Sequence, residues 1–282
     1  MKIKITADST CDLSAELLQK WDITLMPMHI LMGEDSYLDG VTIHPAGVFT
    51  YVNGGGKMPK SAAANLVEYA EFFGNYTGDY DAVIHISVSS KLSSCYQNAK
   101  LAAEDFANVY VVDSGTAAIG TGILAEYALT CIDRGMDAAA LVRELTEKRE
   151  DVCVLALVDT LEYLKRGGRI SKTTALAGGL LNIKPVLTIE KGEILLIGKA
   201  RGSRQGNNLL VEKIRACGGI DFQLPILLGY TGLTDVFLKK YVEDSRALWE
   251  NGVDGLESTL IGGVIGTHAG PGAIAVAFFR RG

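Results

Sequence analysis

Most short signatures of enzyme chemistry are missing from this chain, and each absence removes a class of function. Its five cysteines (Cys11, Cys95, Cys131, Cys153 and Cys217) are odd in number and never spaced C-x-x-C. They read as reduced thiols of a cytoplasmic protein rather than a disulfide frame. Four histidines without ligand spacing make no zinc site. No Lys/Arg stripe is interleaved with aromatics and the net charge is −6, which argues against nucleic acid. The glycine loop from Asn53 to Ser61 misses a Walker A motif twice: Met58 follows Lys57 where Ser or Thr is required, and Tyr51 replaces the first Gly. The turn Asp8-Ser9-Thr10 lacks the second Asp of an aspartate-based phosphatase. There is no G-x-S-x-G elbow, no internal repeat and no low-complexity tract.

Thr259 to Phe279 is uncharged and long enough to span a bilayer. Glycines and the run Ala269-Gly270-Pro271-Gly272 interrupt it, so it reads as strand, loop, strand. The opening Met1–Asp8 reads as a strand and not a signal peptide, its apolar block being too short.

What is present is apolar and periodic. Hydrophobic residues make up 48% of 282, enough for a well-filled core or an apolar cavity. β-Branched runs at 2–7, 23–31, 81–87, 108–112 and 152–158 alternate with helical patterns near 14–20, 45–52, 65–77, 92–105, 117–133 and 137–149. That rhythm predicts an α/β domain with a largely parallel sheet over residues 1–157. Past it come helical patterns at 160–166 and 172–181, then strands at 184–189 and 194–197 about the turn Glu190-Lys191-Gly192-Glu193. A helix from about 203, a strand at 225–230, a helix at 234–249 and two glycine-rich strands complete a smaller α+β domain, 158–282.

The most informative segment lies near residue 90. The run Ala82–Ile86 ends in Ser87, Ser89, Ser90, Ser93 and Ser94, and a helical pattern starts at Cys95. A serine loop between a parallel strand and a helix N-terminus gathers short hydroxyls and free N–H groups where open α/β sheets bind ligands. The residues leave three readings open: hydroxyls that merely cap the helix, an anion site, or a Ser–His hydrolase pairing Ser93 or Ser94 with His268. Gly167-Gly168-Arg169 suggests a shaped turn that aims Arg169 at a carboxylate or phosphate. Lys199, Arg201 and Arg204 form a second basic group, either a solvated face or a docking patch.

The ordered set Asp8-Ser9-Thr10 with Asp12-Leu13, Leu92-Ser93 with Tyr96-Gln97, Val112-Asp113-Ser114, Leu161-Glu162-Tyr163-Leu164 with Gly167-Gly168-Arg169-Ile170, Ile183–Leu187, and Gly266-Thr267-His268 with Gly270-Pro271-Gly272 runs through almost the whole chain. In this order the pieces resemble the DegV family of fatty-acid-binding proteins, the lipid-binding subunits of bacterial fatty acid kinase. The resemblance implies two domains enclosing a long-chain fatty acid, with its carboxylate at Ser61 and Ser93, Ser94 beside them, and Arg169 and His268 near the head group. It further implies a non-catalytic subunit with no cofactor or metal. A separate ATP-dependent kinase subunit, docking on Lys199, Arg201 and Arg204, would convert the presented carboxylate to an acyl phosphate. The family's Thr/Ser-Ser-Gln-Pro motif is here Ser61-Ala62-Ala63-Ala64, and its Ser-Gly-Thr-Tyr is Ser93-Ser94-Cys95-Tyr96. Burying roughly 14 methylenes at about 0.8 kcal/mol each gives on the order of 11 kcal/mol gross. The tail should therefore dominate affinity while the serines orient the head.

Overall fold

A computed structural model describes residues 1–170, 182–249 and 255–281. The first half runs β1 (Ile3–Asp8), α1 (Ala15–Lys20), β2 (Thr24–Met26), β3 (His29–Met32), β4 (Asp35–Leu38), α2 (Pro45–Asn53), β5 (Lys60–Ala62) and α3 (Leu66–Gly74). It continues with β6 (Ala82–Ser87), α4 (Cys95–Ala103), β7 (Val109–Asp113), α5 (Ile119–Asp133) and α6 (Ala138–Lys148). Then come β8 (Val152–Leu157), α7 (Glu162–Arg166), β9 (Ile183–Glu190), β10 (Glu193–Arg201) and α8 (Gly202–Ala216). The chain closes with β11 (Leu227–Tyr230), α9 (Val236–Asp244), α10 (Arg246–Trp249), β12 (Ser258–Leu260), α11 (Gly263–Ala269) and β13 (Ile274–Phe279).

Local chemistry explains the helix starts. Ser14 Oγ accepts the Leu17 N–H ahead of α1, Asn65 and Glu68 form a reciprocal capping box on α3, and Pro45 is the first residue of α2. The turn between β9 and β10 places Lys191 and Gly192 at φ +50° and +82°, the left-handed pair that a tight hairpin demands.

The α/β reading holds: an all-parallel sheet ordered β2-β1-β6-β7, and a mixed sheet ordered β10-β9-β8-β13-β11-β12. The strand at 152–157 closes the β-α rhythm in sequence but pairs antiparallel with β9 and β13 in the second sheet. Helix α5 lies between the sheets, touching β1 and β6 on one side and β8, β11 and β13 on the other. It is buried on nearly every face, so one core holding Ile5, Ile84, Ile123, Val154 and Phe279 spans both sheets. Helix α8 covers β8, β9 and β10 from the far side.

Three readings need correction. The run 23–31 is two strands, because Pro27 has no N–H to continue the ladder: β2 joins the parallel sheet, and β3 pairs with β4 and β5 in a small antiparallel sheet. The helix at 234–249 breaks at Ser245, whose Oγ donates to the Tyr241 carbonyl and accepts from Trp249 Nε1. The tail at 259–279 is strand, helix, strand, since α11 occupies the glycine-rich middle. Its composition hides it, because glycine is a poor helix former. Close approach explains those glycines: a Cβ on Gly263 would lie 2.6 Å from Ile30 Cδ1, and one on Gly266 would lie 2.9 Å from Phe49 Cζ. The helical pattern at 172–181 lies outside the described residues. Among the described residues no helix is long and apolar enough to cross a membrane.

Candidate functional site

The loops at the carboxyl ends of β1, β6 and β7 face the second sheet across a cavity of about 900 Å³, counted with its open mouth. Cross-strand register explains why the space is unfilled. Ala156 lies opposite Ala275, and Ala275 opposite Gly229, so a row of small residues crosses three strands, with Leu187 on β9 bounding it beside Ala156. Ala117 and Ala118 at the start of α5 complete the gap. Ala118 holds φ +57° and ψ −146°, a region that costs an L-residue of order 1–3 kcal/mol.

Apart from Thr10 and Thr188, the described wall is aliphatic or Met except for Ser61, Ser93, Arg169 and His268. These four are linked to one another. Ser61 Oγ lies 2.7 Å from His268 Nε2, joining β5 to the last turn of α11. His268 Nδ1 presses against Gly167, which has no room for a side chain there. Arg169 Nη1 donates to the Gly167 carbonyl at 2.7 Å, and its Nε donates to the Leu92 carbonyl at 3.2 Å, one residue before Ser93. A polar cluster thus closes one side of a greasy chamber. Burial, and then the charge of Arg169, push His268 down to about 4, so its imidazole is neutral at physiological pH.

Three of the five serines of the 87–94 segment make separate side-chain contacts. Ser87 Oγ donates to Asp8, Ser89 Oγ to the Gly192 carbonyl across the interface, and Ser93 Oγ accepts the Cys95 N–H at 3.3 Å. Ser93 lines the cavity. Ser94, named beside it from the sequence, is exposed and does not line the cavity. Of the Asp8-Ser9-Thr10 turn, Thr10 lines the cavity and Asp8 does not; the role of Asp8 is structural. It is fully buried and accepts from Tyr69 Oη, Ser87 Oγ and the Val88 N–H, with His85 Nε2 at 3.2 Å. Burial opposes its ionisation, but the hydrogen bond and charge of His85, with Tyr69 and Val88, outweigh that and hold the carboxyl below its usual value. This network welds β1 to β6 and positions the serine loop.

Helix α11, which carries His268, is fixed at its other end by two carboxyls. Asp39 accepts the N–H groups of Gly263 and Val264, and Asp12 accepts that of Gly262 at 2.8 Å. Burial raises the Asp39 carboxyl; it raises Asp12 well above its usual value, with the neighbouring Asp39 charge adding to the effect. Asp12 was read from the sequence only as part of the family motif and Asp39 was not singled out; only the tertiary fold brings residues 12, 39 and 262 together. Lys199, Arg201 and Arg204 are exposed, on β10 and the first turn of α8, away from the cavity lining.

Chemically the arrangement suits an amphiphile with one anionic end. A hydrolase needs its histidine oriented by a third group, and His268 Nδ1 has no hydrogen-bond partner among the described residues. A family model described as "Uncharacterised protein, DegV family" matches residues 2–281. The chain belongs to the DegV family. A fatty acid-binding protein of Thermotoga maritima is 30% identical over 281 residues, covering 97% of this chain and 96% of that one. The solved structure of a DegV-family protein from Thermus thermophilus, described for fatty acid binding, superposes with a TM-score of 0.89 at 30% identity over 99% of this chain and 100% of that one. A stearic acid-binding protein from Eubacterium ventriosum gives 0.83 at 26%, over 99% and 98%.

Proposed function

We propose that this DegV-family chain binds a long-chain fatty acid in the cavity between its sheets and presents the carboxylate to an ATP-dependent kinase subunit. The observation that carries the reading is the division of the cavity wall: aliphatic throughout, save two threonines and the cluster Ser61, Ser93, Arg169 and His268. With the proton on Nε2, neutral His268 donates to Ser61 Oγ, leaving the Ser61 O–H to donate to the carboxylate. Arg169 supplies the opposing charge and Ser93 a second hydroxyl. Fatty acid binding by the Thermotoga and Thermus relatives supports this reading. The chain would do no chemistry itself: a carboxylate oxygen attacks the γ-phosphate of ATP held by the partner, giving acyl phosphate and ADP. Lys199, Arg201 and Arg204 are the proposed docking residues.

Mass spectrometry of lipid extracted from the purified protein tests the binding step. Recovery of a long-chain acid, or its uptake after delipidation, is expected; neither being seen would refute it. Charge reversal at Lys199, Arg201 and Arg204 should leave fatty acid binding intact and abolish acyl phosphate formation with the kinase. An esterase assay on the wild type and His268→Ala tests the alternative, a hydrolase pairing Ser93 or Ser94 with His268, and no turnover is expected from either.

A further inference from the structure

We infer that Cys153 and Cys217 form a peroxide-reactive dithiol, with Cys217 the attacking sulfur and Cys153 the resolving one. The two sulfurs lie 3.7 Å apart although the residues are 64 positions apart in sequence. Cys153 is on β8, on the face opposite Val154 and the lipid cavity, and Cys217 follows the last turn of α8. A disulfide requires about 2.05 Å between sulfurs, so a modest approach closes the bond.

Access and acidity favour the same order of attack. Both cysteines line a groove of mixed charge, with Arg149, Lys213 and Arg280 beside Asp113, Glu150 and Glu190. Cys153 is buried and Cys217 is half-buried. The hydrogen bond with Cys153 draws the Cys217 thiol below its ordinary value; partial burial opposes this, and the backbone near Gly219 and the charge of Arg280 aid it. The Ile214 carbonyl, 3.1 Å from the same sulfur, favours the protonated form and opposes this. The same contact and burial raise Cys153. The remaining cysteines are buried, and burial pushes the Cys11 and Cys131 thiols up and Cys95 to about 12. Nucleophilic sulfur is the thiolate, so Cys217 should react first.

The chemistry balances with hydrogen peroxide as oxidant. The Cys217 thiolate attacks one peroxide oxygen, the O–O bond breaks, hydroxide leaves, and a sulfenic acid forms. The Cys153 sulfur then displaces the sulfenic oxygen as water, forming the S–S bond. Two thiols and one peroxide give one disulfide and two waters.

The experiment is a titration of fully reduced protein with hydrogen peroxide, quenched by alkylation and mapped under non-reducing conditions. The expected product is a Cys153–Cys217 cross-linked peptide pair, with Cys11, Cys95 and Cys131 alkylated only after denaturation. In Cys153→Ser, Cys217 should stop as a sulfenic acid trapped by dimedone; in Cys217→Ser, low-dose reactivity should disappear. Oxidation of another cysteine before Cys217, or Cys217 still a thiol when those have reacted, overturns the inference. Neither result depends on whether the cavity holds a lipid.

Discussion

Ser61→Ala separates head from tail in a single measurement. The Ser61 hydroxyl is 2.7 Å from His268 Nε2, so its loss removes one donor to the carboxylate and the contact that orients the imidazole. A hydrogen bond to a charged group contributes about 1.5–3 kcal/mol. At about 1.4 kcal/mol per tenfold, the Kd for palmitate or oleate should rise roughly 10- to 150-fold. Affinity should persist, because about 11 kcal/mol of gross tail burial is untouched. The companion variant is Ala275→Phe, which puts a ring into the row formed with Ala156. It removes tail volume while leaving every polar group, and should abolish binding at a stability cost of about 1–3 kcal/mol. Calorimetric titration of delipidated proteins, with melting curves as controls, reads both. Unchanged affinity in Ser61→Ala, or retained affinity in Ala275→Phe, would refute the division of labour.

Gly167→Ala drives a Cβ into His268 Nδ1, so both the fatty acid affinity and the melting temperature should fall; equal affinity would show that His268 does not need its place. His268, depressed to about 4 from 6.5, takes up its proton more readily when unfolded. Its contribution is therefore complete above pH 6.5 and lost as pH falls toward 4, up to about 3 kcal/mol; His268→Gln should flatten that limb of the stability–pH curve. Asp12, raised by burial, loses stability as pH rises, since the unfolded carboxyl ionises first. Asp12→Asn keeps the oxygen facing the Gly262 N–H and should melt higher than the wild type at pH 8. Ala118→Gly relieves a backbone at φ +57° and should stabilise the apo protein by about 1 kcal/mol in urea unfolding.

The parts of the fold legible in sequence are those governed by local rules. Ser14, Pro45 and the Lys191-Gly192 turn mark their elements through caps, fixed φ and left-handed backbone. The parts that were not legible depend on distant neighbours. Helix α11 survives its glycines because Ile30 and Phe49 need the room and Asp39 caps its first N–H groups. The β3–β5 sheet is too short to show alternation, yet it places Ser61. In the site, Ser61, Ser93, Arg169 and His268 were readable as motif residues. Ser94 was not separable from Ser93 by sequence, since adjacent residues entering a helix diverge by about 100° and only the fold says which faces inward. The small cavity row could be suspected from Val154-Leu155-Ala156 alternation, but its partner Ala275 comes from a strand more than a hundred positions later.

That lateness has a consequence for synthesis. Helix α5, apolar on nearly every face, leaves the ribosome long before β13, its cover on the second-sheet side and a central strand of that sheet. At about 5–20 residues per second, the second-sheet side of that helix waits on the order of ten seconds for β13, while β1 and β6 already cover the other side. His268 arrives in the same late stretch. A cavity wall that needs Ala275 and His268 therefore cannot form before these late residues are made, whatever part of the chain has already folded.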